Sequence, residues 1–242
     1  MSTRTFVRHS RWDIFIHWFN AVLWLFLTAT GLALIDNPDI NPLGQWWPDL
    51  WRGIFGGGGN LLLAHEIAGV AWVLGFVAYL AFNRRGASFF LREVFRVNPA
   101  LDIPWLAKKP VQMTLGDAAL RRLGLDPALP PQGFYNMGQK AFAQAAVAGG
   151  AGLALSGAAM MASHLVPGPG AHLLVSWSIL VHYLCAGLVF AGLLVHVYMA
   201  AVAREERPGL LSMFTGTVPE DYARRHHRLW FEEVVGGESR KN

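Results

Sequence analysis

The sequence predicts an all-α membrane protein in which a bundle of four helices crosses the bilayer. Hydrophobic residues make up 53% of the 242 residues and charged residues only 15%, whereas a soluble domain averages about 25% charged residues. Four apolar stretches are long enough to cross a hydrocarbon core about 30 Å thick, which requires about 20 helical residues. Most charged residues lie outside these stretches. A multi-pass membrane protein follows from the composition and the pattern together.

We expect residues 1–242 to form a single integral membrane domain. The first apolar run follows a basic N-terminus, as in a signal peptide, but it continues past Ile35 without a small-residue cleavage site, so we interpret it as a retained span. A long polar segment at 83–138 contains several prolines, and we expect short interfacial helices there. A tail at 204–242 follows the last span. The predicted spans are 13–35, 61–82, 139–163 and 173–203.

The positive charges predict the orientation of the chain. Of its 20 Lys and Arg residues, only Arg52 lies between the first and second spans, and none lies between the third and fourth. Because Lys and Arg concentrate on the cytoplasmic side, we expect both termini, the 83–138 loop and the tail to be cytoplasmic. The net charge of +4 is thus a topology signal. The basic residues form no stripe with interleaved aromatics, so the pattern argues against nucleic acid as a partner.

Four of the nine histidines lie within the predicted spans, where a polar ring is costly. In the predicted topology, His17 and His196 lie toward the cytoplasmic face, whereas His65 and His182 lie toward the outer face. The two histidines of the fourth span are fourteen positions apart. On an α-helix they would be about 40° apart around the axis and about 21 Å apart along it. The four histidines therefore form two pairs at two depths.

Two pairs of histidines at matched depths favour two haems b, each held between the fourth span and another helix. Two imidazoles produce a low-spin iron suited to electron transfer. Any one of these histidines taken alone could instead be a hydrogen-bonded packing residue or part of a proton path.

The glycines of the spans allow two interpretations. Gly31 and Gly69 would let a porphyrin approach the backbone, but helix packing through small residues explains them equally well. The same alternative applies to four glycines of the third span, Gly149, Gly150, Gly152 and Gly157. The single Cys185 lies in an apolar run and excludes a disulfide framework. His226 and His227 belong to a basic stretch that we expect at the surface.

An ordered set of motifs resembles a known family over nearly the whole chain. In order they are "HW" at 17–18, "AHEIAG" around His65, "DIPWL" at 102–106, "YNMGQK" at 135–140, "LVHYLCAG" around His182, "HVYMAAV" from His196 and "GLLSMFTGTVPEDYARRHHRLW" in the tail. This series resembles the cytochrome b (gamma) subunit of membrane-bound respiratory formate dehydrogenases. The loop "NPDINPLGQWWPDLWRGIFGGGG" and the connection between "DIPWL" and "YNMGQK" fit that pattern less clearly.

The resemblance implies the ligand and substrate sites. It implies that His17 and His196 bind the iron of the cytoplasmic-side haem b, and that His65 and His182 bind the iron of the outer haem b. This agrees with the pairing obtained from charge and depth. It also implies a site for quinone, either menaquinone or ubiquinone, near the cytoplasmic end of the spans. The residues lining that site would be Asn136, Gly138 and Gln139. Without the resemblance, this segment could be a turn leading into the third span.

The resemblance further implies an electron-transfer role in the bacterial inner membrane. A catalytic (alpha) subunit with molybdenum or tungsten would oxidise formate, and an iron–sulfur (beta) subunit would deliver the electrons. This chain would then be the quinone-reducing subunit of a formate:quinone oxidoreductase, surrounded by membrane lipid. Two alternatives remain open. One is the equivalent cytochrome b subunit of a hydrogenase or thiosulfate reductase, and the other is a cofactor-free membrane anchor or transporter.

Overall fold

The structure, a computed structural model, describes residues 4–166 and 168–239. Four of its helices are long and apolar enough to cross a membrane. Large apolar side chains on these helices, such as Leu25, Leu74, Leu155 and Leu184, are exposed. A soluble helix bundle would bury such side chains, so this surface is suited to lipid. The protein is a multi-pass membrane protein.

The four predicted spans are confirmed as helices, and each end lies within four residues of its predicted position. The observed candidate spans are Arg11–Leu34, Gly58–Phe82, Met137–Leu165 and Pro169–Val202. They contain the helices α1 (Arg11–Leu34), α3 (Gly58–Phe82), α6 (Met137–Met161) and α7 (Pro169–Val197). A 3-10 turn at Ala162–Leu165 extends the third span, and a π-helical turn at Tyr198–Val202 completes the fourth.

The other elements connect the spans or follow them. They are β1 (Thr5–Val7), α2 (Trp46–Phe55), α4 (Arg84–Phe95), α5 (Pro99–Arg122), α8 (Arg207–Thr215), β2 (Thr217–Pro219), α9 (Glu220–His226) and α10 (Arg228–Ser239). The helices expected between the second and third spans are α4 and α5. Asn98 caps α5 by accepting from the backbone N–H of Ala100, with Pro99 in the first helical turn. Gly116, with φ +76°, kinks the helix near its end.

The chain divides into two compact units. The first, here the span unit, consists of Arg11–Arg84 and Ala148–Phe190. The second, here the terminal unit, consists of Arg85–Val147 and the two chain ends, up to Ser10 and from Ala191.

Polar and small side chains bring the helices of the span unit together. The indole N–H of Trp72 on α3 donates to Asn20 Oδ1 on α1 at 2.8 Å. On α6, a Cβ added at Gly149 would collide with a methyl group of Val189 on α7. A Cβ at Gly152 would lie 2.5 Å from Cys185 Sγ. Packing through small residues therefore accounts for these two glycines.

The terminal unit contains a small core formed by both chain ends. Strands β1 and β2 pair antiparallel, with Phe6 opposite Val218. Their inward side chains meet aromatic residues from α9, α10 and the segment before α6. The buried cluster consists of Phe6, Phe134, Val218, Tyr222, Ala223 and Trp230. This core ties the N-terminus to the tail.

The close approach of α6 and α7 predicts a stability difference between two alanine variants. We expect Gly149→Ala to lower the free energy of unfolding by about 1–3 kcal/mol, because the added methyl group overpacks a buried, β-branched neighbour. Gly187→Ala on α7 is the control, because a Cβ there has no atom within 4 Å. It should leave stability unchanged or raise it by roughly 0.5–1 kcal/mol. Thermal unfolding in detergent, followed by circular dichroism, measures both. A Gly149→Ala variant as stable as the control would contradict this packing.

Candidate functional site

The side chains of His65 on α3 and His182 on α7 approach each other within the span unit. Their ring centres are 6.3 Å apart and their planes are inclined by 64°. When two imidazoles bind the same metal ion from opposite sides, with metal–nitrogen distances of about 2 Å, their ring centres are about 6 Å apart. This pair therefore has the spacing required to bind one ion from two sides.

A threonine hydroxyl determines which nitrogen of His65 carries hydrogen. Oγ1 of Thr30, a fully buried residue on α1, lies 2.8 Å from His65 Nδ1 and 2.8 Å from the carbonyl oxygen of Phe26. The single hydroxyl hydrogen goes to that carbonyl, because a carbonyl oxygen can only accept. The hydroxyl oxygen therefore accepts from Nδ1–H. The lone pair of this neutral imidazole is left on Nε2.

A serine hydroxyl does the same for His182. Oγ of Ser156 on α6 lies 2.9 Å from His182 Nδ1 and donates to the carbonyl of Gly152 at 2.6 Å. The pair thus consists of two neutral imidazoles whose Nε2 atoms can bind a metal, and imidazole nitrogen suits iron. This donor set fits a b-type haem.

Sequence reasoning missed both hydroxyl residues, although the sequence contains a signal for them. Each is a polar residue within an apolar span, and each directly precedes a glycine, as Thr30–Gly31 and Ser156–Gly157. A Cβ added at Gly31 would lie 3.3 Å from His65 Cε1, and one at Gly157 would lie 3.6 Å from His182 Cε1. These two glycines lie against histidine rings, unlike the glycines that pack α6 on α7.

The other two histidines of the spans belong to different units, His17 to the span unit and His196 to the terminal unit. In the span unit, the ring of His17 contacts that of Trp18 edge-on, at 5.1 Å between centres. In the terminal unit, the ring of His196 stacks on Phe142, with centres 4.8 Å apart and planes inclined by 13°. His196 lies in the last turn of α7, just before the π-helical turn. The binding of one iron by His17 and His196 stays a prediction.

Asn136 and Gln139 form a reciprocal cap at the beginning of α6. The backbone N–H of Gln139 donates to Asn136 Oδ1 at 2.9 Å, and the backbone N–H of Asn136 donates to Gln139 Oε1 at 3.1 Å. This is the capping-box arrangement. It fixes the orientation of both amides, because each oxygen must accept. The NH2 groups are therefore the donors that these side chains can offer to a ligand. Between them in sequence, Gly138 lies against the ring of Trp105.

A buried ion pair joins the two motifs "DIPWL" and "YNMGQK". Lys140 Nζ donates to Asp102 Oδ2 at 2.9 Å and to the carbonyl of Arg96 at 2.9 Å. Asp102 Oδ2 also accepts from the backbone N–H of Asn98 at 2.8 Å. Both charged side chains are buried. Removal of either partner would leave an uncompensated charge, so the pair fastens the first turn of α6 to α5.

Three consecutive carbonyls just before the cap are held by the chain ends. The N–H of Leu229, the Nδ1–H of His227 and the guanidinium of Arg8 donate to the carbonyls of residues 132, 133 and 134, at 3.0, 2.9 and 2.5 Å respectively. The segment 132–134 has no regular secondary structure. Its position therefore depends on β1, α9 and α10.

Arg8 and His227 form the buried centre of this arrangement. The guanidinium lies over the rings of Phe134 and Trp230, at 4.6 and 5.1 Å from their centres. Arg8 Nη2 is 3.2 Å from His227 Nε2, which accepts because Nδ1 already donates. Burial and the neighbouring guanidinium lower the pKa of His227 well below its usual value, so the ring is neutral. The expected surface location of His227 is wrong, because the residue is 0% exposed.

A buried carboxylate provides negative charge in the same unit. Glu206 Oε2 accepts from the Tyr222 hydroxyl at 2.9 Å, and Oε1 lies 3.3 Å from His226 Nδ1. Burial alone would raise the pKa of Glu206, but His226, the Tyr222 hydroxyl and the charge of Lys109 outweigh it and hold the pKa at about 2. Burial, together with Glu206, raises the pKa of Tyr222. The carboxylate is ionised and the phenol neutral at physiological pH.

Because Arg8 holds segment 132–134, we expect this segment to open locally when the guanidinium is removed. We expect Arg8→Met to increase amide hydrogen exchange in residues 132–136 about tenfold or more, because hydrogen bonds from a charged group contribute about 1.5–3 kcal/mol. Arg4→Met is the control, since Arg4 is exposed and contacts the ring of Phe6. Hydrogen exchange with mass spectrometry measures both variants. Equal protection in Arg8→Met and the control would contradict the role of Arg8.

Comparison with known proteins places this architecture in a family. Residues 8–216 match the family model described as "Prokaryotic cytochrome b561". The formate dehydrogenase cytochrome b556 subunit of Haemophilus influenzae is 26% identical over 234 residues, which cover 95% of this chain and 83% of that protein. The family match includes all four histidines of the spans. Because it extends over most of the chain, this protein belongs to the prokaryotic cytochrome b561 family, membrane proteins that bind haem b.

Proposed function

We propose that this chain is the dihaem cytochrome b subunit of a formate dehydrogenase complex and carries electrons across the bacterial inner membrane to quinone. The observation that carries the proposal is the pair of neutral imidazoles at 6.3 Å, His65 and His182. The order of the sequence motifs and the name of the Haemophilus influenzae relative support formate as the source of electrons.

In this proposal both termini are cytoplasmic and the whole chain acts as one integral membrane domain. His65 and His182 would bind the outer haem iron through Nε2, and His17 and His196 would bind the inner one. When bound, the haems supply one-electron carriers at two depths of the membrane. The helices fix the tautomers of the outer histidines and provide an acceptor for the Nδ1–H of each. This matters in hydrocarbon, where an unsatisfied donor costs several kcal/mol.

Asn136, Gly138 and Gln139 form the quinone site of the proposal. The two NH2 groups donate to a carbonyl of menaquinone or ubiquinone, because the amide oxygens are occupied by the cap. The ion pair of Asp102 and Lys140 and the hold on residues 132–134 keep the cap in place. The donor geometry is thus set before quinone binds, which reduces the entropy lost on binding.

Formate oxidation in this proposal takes place on another polypeptide. A catalytic alpha subunit with molybdenum or tungsten would pass electrons to an iron–sulfur beta subunit on the outer side, and that subunit would pass them to this chain. A hydrogenase or thiosulfate reductase could use a cytochrome b of similar plan. The proteins that copurify with the chain in mild detergent distinguish these donors.

The ligand assignment predicts haem content. We expect about two haems b per purified chain, counted from the reduced-minus-oxidised spectrum. His182→Ala should lose one haem and keep the other, because it removes one ligand of the outer pair only. His164→Ala is the control, since His164 is exposed in the turn after α6. A chain without any b-type spectrum, as expected for a cofactor-free anchor or transporter, would rule out the proposal.

The cap geometry predicts that a substitution at Gln139 can weaken quinone binding while the cap stays intact. Gln139→Glu keeps the capping oxygen but replaces the NH2 donor with a carboxylate oxygen. We expect kcat/KM for quinone to fall about 10–100-fold, equivalent to about 1.4–2.8 kcal/mol, because one donor is lost. Haem reduction by formate should continue at the wild-type rate.

Gln144→Glu is the matched control for this experiment. Gln144 lies further along α6 and donates to the carbonyl of Val94 at 2.8 Å, outside the cap. Formate-dependent quinone reduction, compared with stopped-flow haem reduction, measures both variants. An unchanged kcat/KM in Gln139→Glu would place the quinone elsewhere.

A further inference from the structure

The outer histidine pair is supported by two hydroxyl groups that are equivalent in position and chemistry. Thr30 reaches His65 from α1, and Ser156 reaches His182 from α6, so each hydroxyl comes from a helix other than that of its histidine. Each forms the same chain of bonds, from Nδ1–H to the hydroxyl oxygen and from the hydroxyl hydrogen to a helix carbonyl. Two unrelated positions in the chain thus produce one arrangement.

This chain of bonds strengthens the histidine as a ligand. Hydrogen bonds in series polarise one another, so a hydroxyl that donates to a carbonyl is a better acceptor for Nδ1–H. An acceptor at Nδ1 raises the basicity of the imidazole and fixes its tautomer and orientation. A more basic ligand stabilises ferric iron relative to ferrous iron. The effect is on a one-electron couple and requires no proton to move.

The following glycine in each pair contributes the second part of the arrangement. Because Gly31 and Gly157 directly follow the hydroxyl residues, the backbone that presents the acceptor also leaves space beside Cε1 of the same ring. The ring can therefore lie close to the neighbouring helix, at a distance that a short hydroxyl side chain can bridge.

We propose that Thr30 and Ser156 are positioning residues that would lower the reduction potential of the outer haem by accepting a hydrogen bond from each histidine that would bind its iron. This inference rests on the proposed function, since it requires that His65 and His182 bind the iron. It goes further by assigning two residues that act through the ligands.

The test is a redox titration of the purified complex that resolves the two b-type haems by their visible spectra. Thr30→Val removes the acceptor with little change in volume, and Ser156→Ala removes the other. Each single variant should raise the midpoint of the outer haem, and the double variant should raise it further. We expect the double variant to change the ratio of ferric to ferrous stability at least tenfold, an upward shift of about 59 mV or more for a one-electron couple. The midpoint of the inner haem, read in the same titration, should stay unchanged.

Two further variants separate hydrogen bonding from packing. Thr30→Ser keeps the hydroxyl and should retain the wild-type midpoint. Thr28→Val is the control on the same helix, because the inference does not use Thr28. The low-temperature EPR spectrum of the ferric outer haem provides a second readout, because its g values should change in Thr30→Val and remain wild-type in Thr30→Ser.

The outcomes distinguish this inference from the function on which it rests. Unchanged midpoints in Thr30→Val and Ser156→Ala, with both haems present, would overturn the inference and leave the dihaem proposal standing. A shift in Thr30→Ser as large as that in Thr30→Val would also overturn it, because packing would then be the cause. Loss of the outer haem from both variants would show that the hydroxyls retain the haem rather than tune it, again against the inference. By contrast, full haem content in His182→Ala would contradict the proposed function itself.

Discussion

A polar ring inside hydrocarbon must find all its hydrogen-bond partners within the protein, because no water is available to it. The histidines of the spans are subject to this constraint. For His65 and His182 the hydroxyls of Thr30 and Ser156 meet it at Nδ1. The lone pairs on Nε2 can then bind a metal, and the centres of the two rings are 6.3 Å apart. The requirement to satisfy Nδ1 thus determines the tautomer, and the tautomer determines that Nε2 is the atom that can bind iron.

The same requirement applies in the terminal unit, where the buried polar groups include charged side chains such as Arg8, Lys140 and Glu206. Segment 132–134 has no strand or helix to satisfy its carbonyls, and three donors from elsewhere in the chain bind them instead. Directly after it, Asn136 and Gln139 satisfy each other across the first turn of α6. The result is a non-repetitive stretch whose carbonyls are hydrogen-bonded by residues distant in the sequence. Such stretches suit ligand binding, because their donors point in directions that regular structure would not allow.

The fold was accessible from the sequence, whereas the supports of the site were not. The lengths of the apolar runs are a one-dimensional feature, and they predicted the spans. The approach of His65 to His182 followed from depth alone. Thr30 and Ser156 escaped notice because a hydroxyl in a helix usually bonds only to its own preceding turn. His227 was misjudged because its partner Arg8 is 219 positions away, and two histidines among arginines look solvated without it. The pairing of His17 with His196 stays a prediction.

The pairing of β1 with β2 has a consequence for the order of biosynthesis. Segment 132–134 leaves the ribosome long before His227 and Leu229, two of its three donors, have been translated. Arg8 is made early, but it is held in place by a strand whose partner is residues 217–219. A nascent chain that has already inserted its last span therefore still lacks a formed cap support. The cap at the beginning of α6 therefore gains these supports only after residues 217–229 have been translated, and a chain truncated after its membrane helices would lack them.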